Sequence, residues 1–365
     1  MKKLVLILTL VLACLCVIAC IPKNQVDTPT IPTEPDPTTG SAPAPTTPTT
    51  QAPIPDGWHA ENGDRYYYLD GQALTGWQDV DGARRFFLAD GALANGFADV
   101  GGSRYLFDAD GCSLTGWQEV EGKRYFLGED GVMVTGWLQL EDVLYYLKED
   151  GTMARGCVEI EGVNTYFTST GAYVLVLNPW NSLPEGFEPD LVELSDYYAT
   201  ANNWVDRSCY EALKEMMKAC NNAAHRVYVL SGYRSVEKQT KLFNKQVERN
   251  LKKGYSQEEA ERLAATVVAV PGTSEHHSGL AVDIIDTSLW ALEEEQADLP
   301  GQQWLMEHCW EYGFVLRYPK DKTDVTGIIY EPWHYRYVGK ELAKELHDLG
   351  LTLEEYMTML TEAEK

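Results

Sequence analysis

Positive charge is scarce in this sequence: 30 lysines and arginines stand against 55 aspartates and glutamates, for a net charge of -25. A surface of that sign repels phosphate backbones, which removes nucleic acid from the candidate partners. A disulfide framework is also missing. Cys14 and Cys16 lie in an amino-terminal apolar segment, and Cys112, Cys157, Cys209, Cys220 and Cys309 have no framework spacing. Cys209, Leu213, Met216 and Cys220 share one helical face, so these two cysteines read as small core hydrophobes; eleven residues of helix rise ~16 Å, too far to bridge. No membrane-spanning run is found, because the apolar stretch 4–19 falls short of the ~20 residues a spanning helix needs. Large apolar side chains are nearly absent from residues 21–55, which therefore cannot bury enough surface to fold.

What stands at the amino terminus is an export signal. Lys2 and Lys3 precede the apolar run, and Val17-Ile18-Ala19-Cys20 resembles a bacterial lipobox. Residues 1–20 are thus expected to be a lipoprotein signal peptide, with Cys20 lipidated and holding the chain to a membrane. The Pro/Thr-rich residues 21–55 then form a disordered tether, whose extension at ~3.1 Å per residue reaches roughly 100 Å.

An internal repeat organises residues 56–174. Gly71, Gly91, Gly111, Gly131, Gly151 and Gly171 recur every twenty residues. A second series, Gly76-Trp77, Gly96-Phe97, Gly116-Trp117, Gly136-Trp137 and Gly156-Cys157, keeps the same spacing after Gly57-Trp58. Aromatic stretches such as Tyr66-Tyr67-Tyr68 and Tyr145-Tyr146 fall between them, so each unit reads as strand, turn, strand. One hairpin alone is marginal, and the units must stack into an all-β solenoid. The pattern resembles the cell-wall-binding repeats of Gram-positive surface proteins, both choline-binding and glucan-binding. A Trp just before the tyrosine pair completes the choline cage in such repeats; here the matching residues are Arg65, Arg85, Arg104, Arg124, Leu144 and Thr165, and a guanidinium there opposes a quaternary cation. A wall polymer or glycan is the expected partner.

Residues 175–365 change character to mixed helix and strand. Helical periodicity covers 206–224, 236–251 and 256–265; strands are expected over 226–230, 280–285 and 335–338, giving an α+β fold with a small antiparallel sheet and flanking helices. Asp283 sits in an apolar strand, where a carboxylate needs a cation to offset its desolvation. A catalytic zinc takes three ligands from His and carboxylate and leaves a fourth position to water; His276, Asp283 and His334 supply that set. Glu331, three residues before His334, is placed to take a proton from the metal-bound water that acts as nucleophile. His225, His308 and His347 read as structural.

Several motifs in order carry a resemblance: Ser231-Gly232-Tyr233-Arg234-Ser235, Gln239, the segment 271–283 from Pro271-Gly272 to Val282-Asp283, Gly313-Phe314-Val315-Leu316-Arg317-Tyr318-Pro319, and Glu331-Pro332-Trp333-His334-Tyr335. From about residue 175 to 349 the chain resembles the VanY-type D-alanyl-D-alanine carboxypeptidases, zinc peptidases that also include the dipeptidase VanX and certain L,D-carboxypeptidases. The resemblance implies one Zn2+ on His276, Asp283 and His334, with Glu331 as base. It places Arg234 on the scissile carbonyl oxygen or the terminal carboxylate, and Gln239 and Ser274 in the same pocket. His277 stands where relatives often have Gln, and the motif's spacing to Asp283 selects His276 as the ligand.

The expected protein is an extracytoplasmic, membrane-anchored enzyme at the wall of a Gram-positive-type bacterium, trimming terminal D-alanine from peptidoglycan stem peptides. Two alternatives remain open at this point: an L,D-carboxypeptidase acting on tetrapeptide stems, and a wall-binding scaffold with an inactive peptidase domain.

Overall fold

The computed structural model describes residues 54–364, apart from Tyr197 and Ala224. The expected leader, the expected lipidation site Cys20 and nearly all of the expected tether lie outside the described residues. Among those residues no helix is long and apolar enough to cross a membrane.

Turn chemistry shapes the repeats. Six antiparallel hairpins follow one another, from Gly57–Glu61 with Asp64–Leu69 to Gly156–Ile160 with Val163–Phe167. Asp81 and Gly82 close the second hairpin at φ of 52° and 75°, left-handed values that suit the twist of the flanking strands. The glycines of period twenty have another task. Gly151 has a φ of 83°, a left-handed value that favours glycine, and the connecting loop crosses the preceding unit so closely that a Cβ would lie 2.3 Å from Met133 Sδ. Phe87, Phe107, Leu127, Leu147 and Phe167 form the buried column. Rings of successive units meet at 4.9–5.6 Å, as in Trp77–Tyr105, Phe97–Tyr125 and Trp117–Tyr145.

The strand register corrects two of the expected cage positions. Arg65, Arg84, Arg104, Arg124, Leu144 and Asn164 occupy the same ladder position in the six hairpins. Arg85 and Thr165 stand one residue further along, on the opposite face of their strands. The four guanidiniums of the series lie over the aromatic ring of their own hairpin, at 4.5 Å for Arg65 on Trp58 and 4.6 Å for Arg124 on Trp117.

Beyond the repeats, a four-stranded antiparallel sheet runs in the order Val227–Ser231, Ala281–Asp286, His334–Tyr337, Phe314–Leu316. Its apolar side chains, among them Val229, Val282, Ile284 and Tyr335, share a core with Cys209, Leu213, Met216 and Cys220 of helix Arg207–Asn222. Burial pushes both of those thiols up to about 12, and no disulfide joins the described cysteines. Helices Val236–Lys252 and Gln257–Ala265 pack together at one side. Their starts are fixed by Ser235 and Ser256, whose hydroxyls accept from Lys238 N and Glu259 N. The periodicity did not single out helices Pro300–His308, Lys340–Leu349 and Leu353–Ala363, nor the short strand Phe314–Leu316.

The two regions are joined by a common core. Val174 and Val176, at the exit from the last hairpin, pack with Leu342, Leu346, Leu353, Tyr356 and Met357 of the two carboxy-terminal helices. Cys157 N donates to Thr361 Oγ1 at 2.8 Å, and a Cβ at Gly156 would lie 2.7 Å from Thr361 N.

Candidate metal centre

The sheet brings the distant motifs to one point. Asp283 and His334 are paired residues on neighbouring strands, and Ser231 pairs with Asp283 on the other side. His276 enters from the short 3-10 turn Glu275–Ser278, which ends on Gly279 at φ 74°. The ligand atoms of His276, Asp283 and His334 all lie within 4.8 Å of one another, and all three residues are buried. His276 Nε2 is 3.2 Å from Asp283 Oδ2, and His334 Nδ1 is 3.0 Å from Asp283 Oδ1.

Hydrogen bonds on the far side of each ring fix its orientation. His276 Nδ1 lies 2.8 Å from the Gly232 carbonyl, which leaves Nε2 turned toward the carboxylate. Gly232 is required there: a Cβ would sit 2.4 Å from the Trp204 carbonyl. His334 Nε2 lies 3.4 Å from Glu275 Oε2, so its Nδ1 is the inward atom. His277 is committed elsewhere, with Nδ1 2.6 Å from the Arg234 carbonyl and Nε2 accepting from Gly272 N at 3.2 Å.

Electrostatics separate the groups. Burial, aided by the Arg234 guanidinium, pulls His276 down to about 4. Burial opposes the charge on Asp283, yet the two imidazoles hold its carboxyl well below the usual range. Burial also opposes a charged His334, but its bonds to Asp283 and Glu275 push it up to about 9. Burial pushes Glu331 up to about 8 against the nearby His334. Glu331 Oε2 lies 3.8 Å from His334 Nδ1.

Arg234 completes the group. Its Nη2 is 3.4 Å from Asp283 Oδ2 and donates to Ser231 Oγ at 3.1 Å, while its Nε is buried without a hydrogen-bond partner. A cavity of about 530 Å³ opens over these residues, with Arg234, Ser274, Glu331 and Trp333 in its wall. Gln239 is not in that wall. Contrary to the expectation from sequence, it is fully buried behind Arg234, where its Oε1 accepts from Arg234 Nη1 at 2.8 Å and its Nε2 donates to the Ala269 carbonyl at 2.6 Å. A larger cavity, about 750 Å³, lies between the last hairpin and helix Leu353–Ala363 and contains none of these groups.

Glu275 is the residue the sequence reading missed. It is wholly buried, and its Oε1 accepts from Arg317 Nε at 2.8 Å and from Arg336 Nη1 at 3.0 Å. Burial opposes its charge, yet the two guanidiniums hold its carboxyl well below the usual range. The only hint in the sequence was its place between Ser274 and His276. His308 and His347 are engaged outside the site, one 2.8 Å from Glu311 Oε1 and the other stacked on Trp310.

Two imidazoles, a buried carboxylate between them and a fourth side open to a cavity make up the donor set of a metallohydrolase. The comparisons with known proteins give the family. A profile for VanY, D-alanyl-D-alanine carboxypeptidase, matches residues 202–340, and one for the choline-binding repeat matches residues 114–155. A D-alanyl-D-alanine carboxypeptidase of Enterococcus faecalis is 38% identical over 184 residues, covering 50% of this chain and 65% of that protein. A bifunctional D-Ala-D-Ala dipeptidase and carboxypeptidase, VanXYC, of Enterococcus gallinarum is 35% identical over 144 residues, 37% of this chain and 68% of that one. A solved vancomycin-resistance D,D-pentapeptidase VanY in complex with Zn(II) is 38% identical at a TM-score of 0.45, covering 50% of this chain and 97% of that one. The chain belongs to the VanY family of D-alanyl-D-alanine carboxypeptidases. It spans 65% of the length of the Enterococcus faecalis relative.

Proposed function

We propose that the chain is a zinc-dependent D,D-carboxypeptidase of the cell wall, removing the terminal D-alanine from peptidoglycan stem peptides. The observation that carries the reading is the convergence of His276, Asp283 and His334 within 4.8 Å, beside Glu331 and a buried, unpartnered Arg234 Nε. His276 Nε2, an Asp283 oxygen and His334 Nδ1 would hold the ion. When bound, zinc supplies Lewis acidity and lowers the pKa of water toward neutrality.

The protein's own groups do the rest. Glu331, in the cavity wall beside His334, is placed to take the proton of the attacking water and return it to the leaving amine. Arg234 donates to an anionic oxygen of the substrate, with its fork held by Gln239 and Ser231. Ser274 lines the pocket wall.

Export and retention follow from the flanking segments. Cys20 would carry the lipid and residues 21–55 would tether the enzyme outside the membrane, with residues 56–174 binding a wall polymer or glycan. The most open ring for that purpose is Trp137, 48% exposed, in the hairpin where Leu144 stands in place of the arginine. It shares a cavity of about 500 Å³ with Asn164, Tyr173, Trp180 and Asn181, an aromatic and amide lining suited to a sugar ring.

The test is to offer the full chain a synthetic pentapeptide stem and the corresponding tetrapeptide, with and without chelator, and to weigh the products. Loss of one D-alanine from the pentapeptide, stopped by chelator and restored by zinc, is the expected result. Trimming of the tetrapeptide alone would replace the assignment by an L,D-activity, and no cleavage of either would favour a scaffold.

A further inference from the structure

We propose that Glu354, on the carboxy-terminal helix Leu353–Ala363, is a positioning residue for His334, and that the sixth hairpin holds Glu354 in place. The last wall-binding repeat is then structurally part of the metal centre. The inference rests on the reading of His334 as a metal ligand.

The path is continuous and every link is a hydrogen bond or ion pair. His334 Nε2 faces Glu275 Oε2 at 3.4 Å. Glu275 Oε1 accepts from Arg317 Nε at 2.8 Å. Arg317 makes a two-pronged pair with Glu354, Nη1 to Oε2 at 2.8 Å and Nη2 to Oε1 at 2.5 Å. Asn178 Nδ2 donates to Glu354 Oε1 at 3.0 Å, Asn181 Nδ2 donates to Asn178 Oδ1 at 2.8 Å, and Tyr166 OH donates to Asn181 Oδ1 at 3.1 Å. Tyr166 lies on the second strand of the sixth hairpin. A parallel route leaves Glu275 through Arg336, whose Nη2 donates to the Leu175 carbonyl at 2.6 Å, at the exit from the repeats.

Charge explains why the path carries force. Two guanidiniums and two carboxylates alternate from Arg336 through Glu275 and Arg317 to Glu354, and Glu275, Arg317 and Arg336 have at most 1% of their surface exposed. In such surroundings each charge depends on its neighbour, so an unpaired Arg317 must shift or draw harder on Glu275. Either response moves the carboxylate that sets the tautomer and angle of His334. A group bonded directly to a ligating imidazole, as Glu275 is to His334, governs metal affinity by about 10–100-fold when removed, and Glu354 acts through it at the lower end of that range.

The test uses the full chain loaded with cobalt(II), whose visible absorption reports ligand geometry, together with zinc affinity measured by chelator competition. Three variants are compared with the parent. Glu354→Gln removes the charge that holds Arg317, and Tyr166→Phe removes one hydroxyl at the far end and leaves every charge intact. Glu345→Gln is the control: it removes a charge and weakens another contact across the same junction, with Ser169 and Tyr356, whose side-chain hydrogen bonds do not extend to His334.

The expected result is an altered cobalt spectrum and a fall in zinc affinity of about 10-fold for Glu354→Gln, a smaller change of the same kind for Tyr166→Phe, and none for Glu345→Gln. An unchanged spectrum and affinity in both path variants would overturn the proposal, as would an equal loss in Glu345→Gln. An effect confined to Glu354→Gln would overturn the part assigned to the hairpin. If the parent chain binds neither metal, the reading of His334 as a ligand fails instead. Should Glu354→Gln not fold, Tyr166→Phe alone decides.

Discussion

Asp283 and His334 are cross-strand partners whose side chains meet, His334 Nδ1 lying 3.0 Å from Asp283 Oδ1. Two residues 51 apart in sequence are thereby held on one sheet, with separation set by backbone hydrogen bonds and not by a loop. Replacing either should release the metal: Asp283→Ala and His334→Ala are expected to purify without stoichiometric zinc. Metal analysis beside the parent chain checks this, and full occupancy in either variant would remove that residue from the ligand set.

Proton release on metal uptake follows from the site's electrostatics. In the zinc-free protein His334 is held protonated up to about 9 and Glu331 up to about 8, whereas a bound cation favours the unprotonated form of both. Titrating zinc at pH 7 into the stripped protein should release at least one proton per metal. Calorimetry in buffers of different ionisation heat measures it, and binding with no buffer dependence would contradict the assignment.

Glu331 separates chemistry from binding. Glu331→Gln should retain zinc and bind peptide but lose turnover by about 10²–10⁴-fold, the range for a general base. Retained turnover would hand the proton to another group.

The buried ion cluster sets an acid limit on stability. Glu275 has a folded-state pKa below its ordinary 4.5, so its contribution is fully present above that value and is lost as pH falls through the folded one. Arg317→Ala leaves Glu275 and Glu354 short of a partner and should destabilise the fold by about 3–5 kcal/mol in denaturant titrations. A change below about 1 kcal/mol would mean the cluster is solvated in solution.

Residues near the chemistry were largely legible in the sequence because they come in local motifs. The segment 271–283 and Glu331 to Tyr335 each carry their spacing within a few residues, and helix Arg207–Asn222 declares itself through its apolar face, although Asp206, counted into it from the sequence, is its cap. Hairpin stacking was equally plain from the twenty-residue period. What stayed hidden depends on residues far apart. Glu275 looks like any surface glutamate until Arg317 and Arg336 fold over it. Gln239 was read as a pocket residue and supports Arg234 from behind. Arg85 and Thr165 enter the ring series because each directly precedes an aromatic pair, Phe86-Phe87 and Tyr166-Phe167, and the ladder register shows that Arg84 and Asn164 hold the equivalent position.

Wall attachment can be probed at the exposed ring. Trp137→Ala should weaken binding of the full chain to purified walls while leaving zinc content unchanged, because Trp137 is the exposed ring that no arginine covers. Release by choline would restore a quaternary-amine ligand to these repeats.

X-ray absorption at the zinc edge of the purified full chain tests the central claim most directly. One zinc per chain, coordinated by two imidazole nitrogens and light oxygen donors, is the result expected, with one imidazole lost in His276→Ala. Sulfur in the coordination shell, or two imidazoles still present in that variant, would contradict it.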